Sequence, residues 1–150
     1  MLFTIRNSFD EADLSALYEI EKECFSPEFR WAEPVFKQEV MTAHQRGLVW
    51  VAYIGSKIAG FLVAEPQGNK LSMETCNVAR VHRRKGVASR LISAYEKAAK
   101  HRGIKEVKLE VYTENPAQVL YFTLGYRVNG FKRNYYGLRR HAISMTKKLT

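Results

Sequence analysis

The chain has 150 residues with a formal net charge of +9, and 46% of them are hydrophobic against 26% charged. That is the balance of a soluble globular fold with one sizeable core, so a single domain over residues 1–150 is expected. It excludes a membrane-spanning protein, a disulfide scaffold and a metal centre: no apolar run is long enough to span, Cys24 and Cys76 make no framework, and no Cys/His cluster has ligand spacing.

The N-terminus, MLFTIRNSFD, turns polar too soon for a signal peptide, so a cytoplasmic home is expected. The excess of base favours acidic partners such as phosphorylated cofactors. Most acids fall in residues 10–39, and most bases in 80–108 and 127–148. Without a long Lys/Arg run or an aromatic-interleaved basic repeat, a dedicated nucleic-acid binder is the weaker inference.

In chain order, Phe3 to Ile5 is predicted as a short strand, and Asp10-Glu11-Ala12-Asp13 opens a helix with acids in its first turn. Leu14, Leu17, Tyr18, Cys24 and Phe25 keep helical spacing, with Glu21 interrupting it, and the helix ends near Ser26-Pro27. Pro34 starts a second helix, running to about Gln45. Leu48 to Ile54 and Lys57 to Glu65 form a hairpin about Gly55-Ser56; after a turn at Pro66–Asn69, Lys70 to Val78 is the next strand.

A basic turn, Arg83-Arg84-Lys85-Gly86-Val87-Ala88, then leads into an amphipathic helix that ends at His101-Arg102-Gly103. A strand, a basic glycine turn and a helix N-terminus together make a phosphate cradle, because first-turn N–H groups lack intrahelical partners and Gly86 has no Cβ to block approach. Glu106 to Tyr112 alternates as a strand, Asn115-Pro116 starts a short helix ending at Leu124-Gly125, and Tyr126–Tyr135 and Ala142–Leu149 close the chain as strands around Tyr136-Gly137-Leu138. The fold class is therefore α/β, a mixed central sheet flanked by helices in the order β-α-α-β-β-β-α-β-α-β-β.

The turn resembles the Arg/Gln-x-x-Gly-x-Gly/Ala signature of the GNAT superfamily of acetyl-CoA-dependent N-acetyltransferases, with Arg83, Gly86 and Ala88 at the defining positions. The element order is similar to that of the GNAT fold. Ala117, Leu120, Tyr121, Leu124, Gly125 and Tyr126 resemble a second element of the superfamily, although Glu114 stands where its Asn is usual and Asn115 fits only with a one-residue deletion. Val107–Tyr112, Arg133–Gly137 and His82–Gly86 resemble stretches of the N-terminal protein acetyltransferases, the ribosomal-protein alanine acetyltransferases among them. Two departures stand out: Tyr112 replaces an Arg, and Leu138-Arg139-Arg140-His141 replaces an acidic segment after the tyrosines.

The resemblance implies acetyl-CoA as cofactor, with CoA as product. The backbone of Cys76, Asn77 and Val78 would pair with its pantetheine arm, Arg84, Lys85, Gly86, Val87, Ala88 and Ser89 would wrap the pyrophosphate beside Arg83, and Asn115 and Tyr121 would complete the site. Arg80, Arg83 and Arg90 are candidates for the 3′-phosphate. Attack of an amine on a thioester needs a base and a proton for the leaving sulfur. Glu74 and Glu110 are the base candidates, and Tyr121 is the proton donor implied by the family tyrosine. By period two, Ser72, Glu74, Cys76 and Val78 share a face of their strand.

For the substrate, the resemblance implies a slot between the loop carrying Phe25 and Glu28 and the turn carrying Tyr135 and Tyr136. The expected activity is acetyl transfer to the α-amino group of a protein or peptide N-terminus. Acetylation of a lysine or a polyamine-like small amine is the rival, and an inactive basic ribosome-associated module is the reading from another class. Neither a specific nucleic acid nor a membrane is expected as partner; the assembly is expected to be a monomer or weak homodimer, and ribosome association stays open. The four histidines are expected at the surface.

Overall fold

The computed structural model describes residues 2–150. Seven strands, β1 (Thr4–Arg6), β2 (Val49–Ile54), β3 (Lys57–Gln67), β4 (Lys70–Val78), β5 (Glu106–Tyr112), β6 (Arg127–Lys132) and β7 (Ala142–Lys148), alternate with four helices, α1 (Leu14–Cys24), α2 (Glu33–Gln45), α3 (Val87–His101) and α4 (Ala117–Thr123). The sheet order is β1-β2-β3-β4-β5-β7-β6, antiparallel except between β4 and β5. A parallel pair needs a crossover, and α3 supplies it.

The core follows from the apolar runs that made the strands readable. β2 and β3 are buried on both faces, so Val51 pairs with Phe61 and Trp50 with Leu62 on opposite sides of the sheet. On one side Phe36 of α2 meets Phe61 edge-on with ring centroids 5.9 Å apart; on the other Tyr95 of α3 meets Trp50 at 5.5 Å. Burying a side chain of this size contributes about 1.5–3 kcal/mol relative to leaving it in water. Helices thus cover both faces. No helix among the described residues is long and apolar enough to cross a membrane.

Several expected boundaries move. β1 runs Thr4–Arg6 instead of Phe3–Ile5, and a short 3-10 turn at Glu11–Asp13 precedes α1. β3 continues through Pro66 and Gln67, leaving only Gly68 and Asn69 as the turn. The last two strands do not form a tight hairpin: nine residues separate Lys132 from Ala142, and β7 is inserted between β5 and β6. The expected alternation along β4 is interrupted as well. Val63 pairs with Thr75 but Ala64 with Met73, so Glu74 is an extra residue in a β-bulge.

Glu21 is not a solvated break in α1. Its side chain is buried and accepts a 2.6 Å hydrogen bond from Asn77 Nδ2, and Asn77 Oδ1 accepts one from the Thr75 hydroxyl at 3.0 Å. Burial raises its pKa, against the pull of Asn77 and Arg30. The bond fastens α1 to the end of β4.

Candidate active site

β4 and β5 pair over only three residues, Leu71 with Val107, Ser72 with Lys108 and Met73 with Leu109. Beyond Met73 and Leu109 the two strands part. The first residues past the split are Glu74 and Glu110. The wedge between the strands is a cleft of about 860 Å³ that reaches from the basic turn before α3 to the connection between β6 and β7.

At one end lies the cradle. Gly86 takes φ +81° as the N-cap of α3, and a Cβ built on it would meet nothing within 4 Å. Arg84 is also left-handed, with φ 61°. No side chain caps the helix, so its first N–H groups face the cleft unclaimed by a capping group. Arg83, Arg84, Gly86, Val87, Ala88 and Ser89 all line this end; Lys85 does not. The side chain of Arg83 turns inward, its Nε donating to the Val78 carbonyl at 3.1 Å and its Nη2 lying 3.3 Å from Cys24 Sγ. Arg90 stacks over Phe3 at 5.0 Å, and Arg80 is exposed.

Along the cleft wall run Cys76, Asn77 and Val78. Their strand edge facing β5 carries no ladder partner, as a docking strand requires, although Arg83 already occupies the Val78 carbonyl. Gly60 on β3 makes this packing feasible: a Cβ there would lie 2.6 Å from the Asn77 carbonyl oxygen. Asn115 lines the cleft with its Oδ1 accepting the Ala117 N–H at 2.9 Å, which leaves its amide nitrogen for a ligand. Glu114 instead accepts the Tyr112 hydroxyl.

The two carboxylates at the split differ in electrostatics. Burial, then neighbouring Glu65, and then the charges of Glu110 and Glu39 push Glu74 up to about 8. Burial also opposes ionisation of Glu110, but Ser144, Lys108 and Lys132 outweigh it and hold that carboxyl below its ordinary value. Lys108 and Lys132 lie 3.3 and 3.5 Å from Glu110 Oε1. Glu74 is therefore a carboxyl tuned to exchange its proton just above neutral pH, whereas Glu110 is a charged, weakly basic group.

Tyr121 of α4 lines the cleft, and burial, with Cys76 and Tyr136 nearby, raises its phenol so that it stays protonated. The thiols are also held protonated: burial lifts Cys76 to about 12, and burial raises Cys24 despite Arg83. Neither is poised as a nucleophile, which favours direct transfer over an acyl-cysteine route. Among the described residues no group of His, Cys, Asp or Glu could hold a metal ion.

The far end of the cleft is aromatic. Phe29, from the loop between α1 and α2, lies 4.8 Å from the Tyr112 ring and 5.6 Å from Tyr136, and Tyr135 packs edge-on against Tyr136 at 4.9 Å. The Tyr136 hydroxyl donates to the Glu110 carbonyl at 3.2 Å, tying the turn to β5. Phe25, Tyr135 and Tyr136 line the cleft, but Glu28 does not: exposed on its loop, it accepts the Ser26 hydroxyl at 2.5 Å. Phe29, Trp31 and His82 were not singled out as site residues by the sequence, and all three line it. Two of the histidines expected at the surface are half-buried: His82, whose Nδ1 has no hydrogen-bond partner, and His44, whose Nδ1 is likewise unpartnered and whose ring packs at a tilt against Phe9 at 4.5 Å.

The cleft fits the expected cofactor. It has an uncapped helix start behind a left-handed glycine, an unpaired strand edge for the amide arm, and orphaned polar atoms, His82 Nδ1 and Glu110 Oε2, on lining residues.

Comparison with known proteins agrees. Residues 14–126 match the Acetyltransferase (GNAT) family. The ribosomal-protein-S18-alanine N-acetyltransferase from Escherichia coli is 26% identical, covering 99% of this chain and 95% of that one, with a TM-score of 0.84. Ard1 from Thermoplasma volcanium superposes with a TM-score of 0.89 at 21% identity over 100% and 99% of the two chains. The PaiA N-acetyltransferase from Thermoplasma acidophilum, solved in complex with coenzyme A, does so at 0.79 and 20% identity, over 99% of each chain. Among curated protein sequences none matches.

Proposed function

The chain belongs to the GNAT family of acetyltransferases, which use acetyl-CoA, and we propose that it transfers the acetyl group to the α-amino group of protein N-termini. One observation carries the reading: Glu74 sits at the strand split, between the cofactor cradle and a narrow aromatic mouth, with its carboxyl raised to about 8. An α-amine has a reference pKa of about 7.7–8.0 and a lysine about 10.4, so an acceptor of this strength suits the α-amine. The mouth supports the same reading. Phe29 and Tyr136 pack edge-on at 5.6 Å and join the α1–α2 loop to the β6–β7 connection as one aromatic wall of the mouth, a surface that suits the end of a peptide chain.

Bound acetyl-CoA supplies the acetyl group as a thioester, whose C–S bond breaks as the amine nitrogen takes the acetyl carbon. The chain does the rest. The helix start behind Gly86 holds phosphate through backbone N–H groups. The β4 edge aligns the amide arm. Glu74, directly or through a water, takes the proton from the ammonium. Glu110 stays charged and favours the ammonium's approach, Tyr121 gives its phenolic proton to the departing sulfur, and the second proton that the nitrogen sheds on becoming an amide restores the phenol.

Replacing Tyr121 by Phe is expected to lower kcat roughly tenfold with little change in acetyl-CoA affinity. The effect lies below the usual ~10²–10⁴ of acid–base catalysis because a thiol, with a pKa of about 8.5, leaves readily as thiolate. Unchanged turnover in Tyr121→Phe would remove the phenol from the reaction.

The direct test is mass spectrometry of a peptide that carries one free α-amine and one internal lysine, after incubation with acetyl-CoA. A single acetyl on the N-terminus is expected; acetyl on the lysine side chain would contradict the reading. A polyamine acceptor has one observation in its favour, the carboxylates of Glu39, Glu65 and Glu110 that act on Glu74, and preferred turnover of spermidine over any peptide would establish it.

A further inference from the structure

The α-amine reading accounts for the interior of the slot and leaves its rim unexplained. Residues 127–149 contain no acid, and the end of β6 with the connection that follows it carries Lys132, Arg133, Arg139 and Arg140 within nine residues. This connection is built to one shape. Asn134 and Arg139 both take left-handed backbone, with φ 55° and 62°. The Arg139 N–H donates to Asn134 Oδ1 at 2.8 Å, the Asn134 N–H to His141 Nδ1 at 2.9 Å, and the Tyr136 N–H to the Arg140 carbonyl at 2.9 Å.

That shape brings Arg140 to the mouth. The Arg140 guanidinium lies 5.6 Å from the centre of the Phe29 ring, whose other neighbours are Tyr112 and Tyr136. Arg30, on the same loop as Phe29, donates to the Phe25 carbonyl at 3.0 Å. Lys132 is already engaged with Glu110 and the Tyr135 ring. Arg133 and Arg139 are exposed and make no ion pair among the described residues. Two acids oppose them: Glu28, held by Ser26 and under the influence of Arg140 and Arg30, and Glu114, held by Tyr112.

The substrate half of the site is thus bipolar, with Glu74 and Glu110 inside and the Arg140 guanidinium at the mouth. An α-ammonium is drawn inward, and an extended chain puts its second to fourth residues within about 3–11 Å of that nitrogen, across the rim. We propose that the enzyme selects N-termini followed by acidic residues, with Arg140 at the rim and the exposed Arg133 and Arg139 of the same connection as the specificity-determining side chains. This rests on the α-amine reading and goes further, since it names the peptide class. Charge complementarity of this kind sets partner choice and approach more than tight binding.

The test compares peptides that share one first residue and differ at positions two to four, as Asp/Glu, Ser/Gly or Lys/Arg. At low salt the kcat/KM of the acidic series is expected to exceed that of the basic series roughly tenfold (about 1.4 kcal/mol), as a few half-exposed ion pairs would give. The ratio should shrink toward one in 0.5 M salt. Charge reversal in Arg133→Glu/Arg139→Asp, with Asp chosen because it tolerates left-handed backbone, should reverse the preference. The wild-type salt series keeps the test decisive even if that variant folds poorly. Equal or opposite preference in wild-type enzyme that still acetylates free N-termini overturns the rim proposal and leaves the α-amine reading standing. Acetylation of lysine or spermidine alone removes both.

Discussion

Glu74→Gln is expected to lower kcat by about 10²-fold at pH 7 while acetyl-CoA still binds, because the amide cannot take the ammonium proton. The pH profile should change with it. With Glu74 raised to about 8 and an α-amine at about 7.7–8.0, wild-type kcat/KM should climb steeply up to pH 8 and flatten above it, whereas the variant keeps only the amine's dependence. The loss should therefore widen from pH 7 to pH 9, as Glu74 gives up its own proton in wild type and becomes able to take the amine's.

Stability gives an independent check. A carboxyl whose folded pKa lies above its unfolded value stabilises the fold fully below the unfolded pKa, and that contribution is lost as pH rises through the folded one. For Glu74 the window runs from about 4.5 to about 8. Gln does not titrate, so at pH 9 the variant should melt higher than wild type, on the order of 5 °C, and the two should converge at pH 4. Wild-type turnover in Glu74→Gln would take the residue out of the reaction and move attention to Glu110.

Gly86→Trp should weaken acetyl-CoA binding by more than about 10²-fold, since losing two charge-assisted hydrogen bonds to phosphate costs roughly 3–6 kcal/mol. Space around the ideal Cβ is open, so the indole would enter the cradle without disturbing the core. Gly86→Ala separates the two effects. It carries the left-handed strain of φ +81°, about 1–2 kcal/mol of stability, without a ring to fill the site. Cofactor affinity in Gly86→Ala should stay within a few-fold of wild type. Titration by calorimetry reads both variants, and unchanged affinity in Gly86→Trp would overturn the phosphate assignment.

What the sequence made legible was contiguous. β4 and β5 have the expected boundaries because each is an apolar alternation closed by turn residues. The turn Arg83–Ala88 carries its glycine, its charge and the helix start in six residues. The features that escaped depend on pairing across the fold. The bulge that places Glu74 comes from a register shift against β3, and the different electrostatics of Glu74 and Glu110 come from Glu65 and from Lys108, Lys132 and Ser144. No single segment holds them. Glu21 stood in the sequence only as an interruption of the apolar spacing, because its partner, Asn77, lies 56 positions away. Phe29 had no motif to mark it, and only the packed mouth brings it against Tyr112 and Tyr136. Lys85 and Glu28, which the family resemblance implied, do not line the cleft, since adjacent residues in a turn or loop point in different directions.

The most direct test of the account is CoA release from acetyl-CoA with two peptides that differ only in a free or a formyl-blocked N-terminus. Release with the free peptide and none above background with the blocked one is the predicted result. Equal release with both would contradict acetyl transfer to the α-amine.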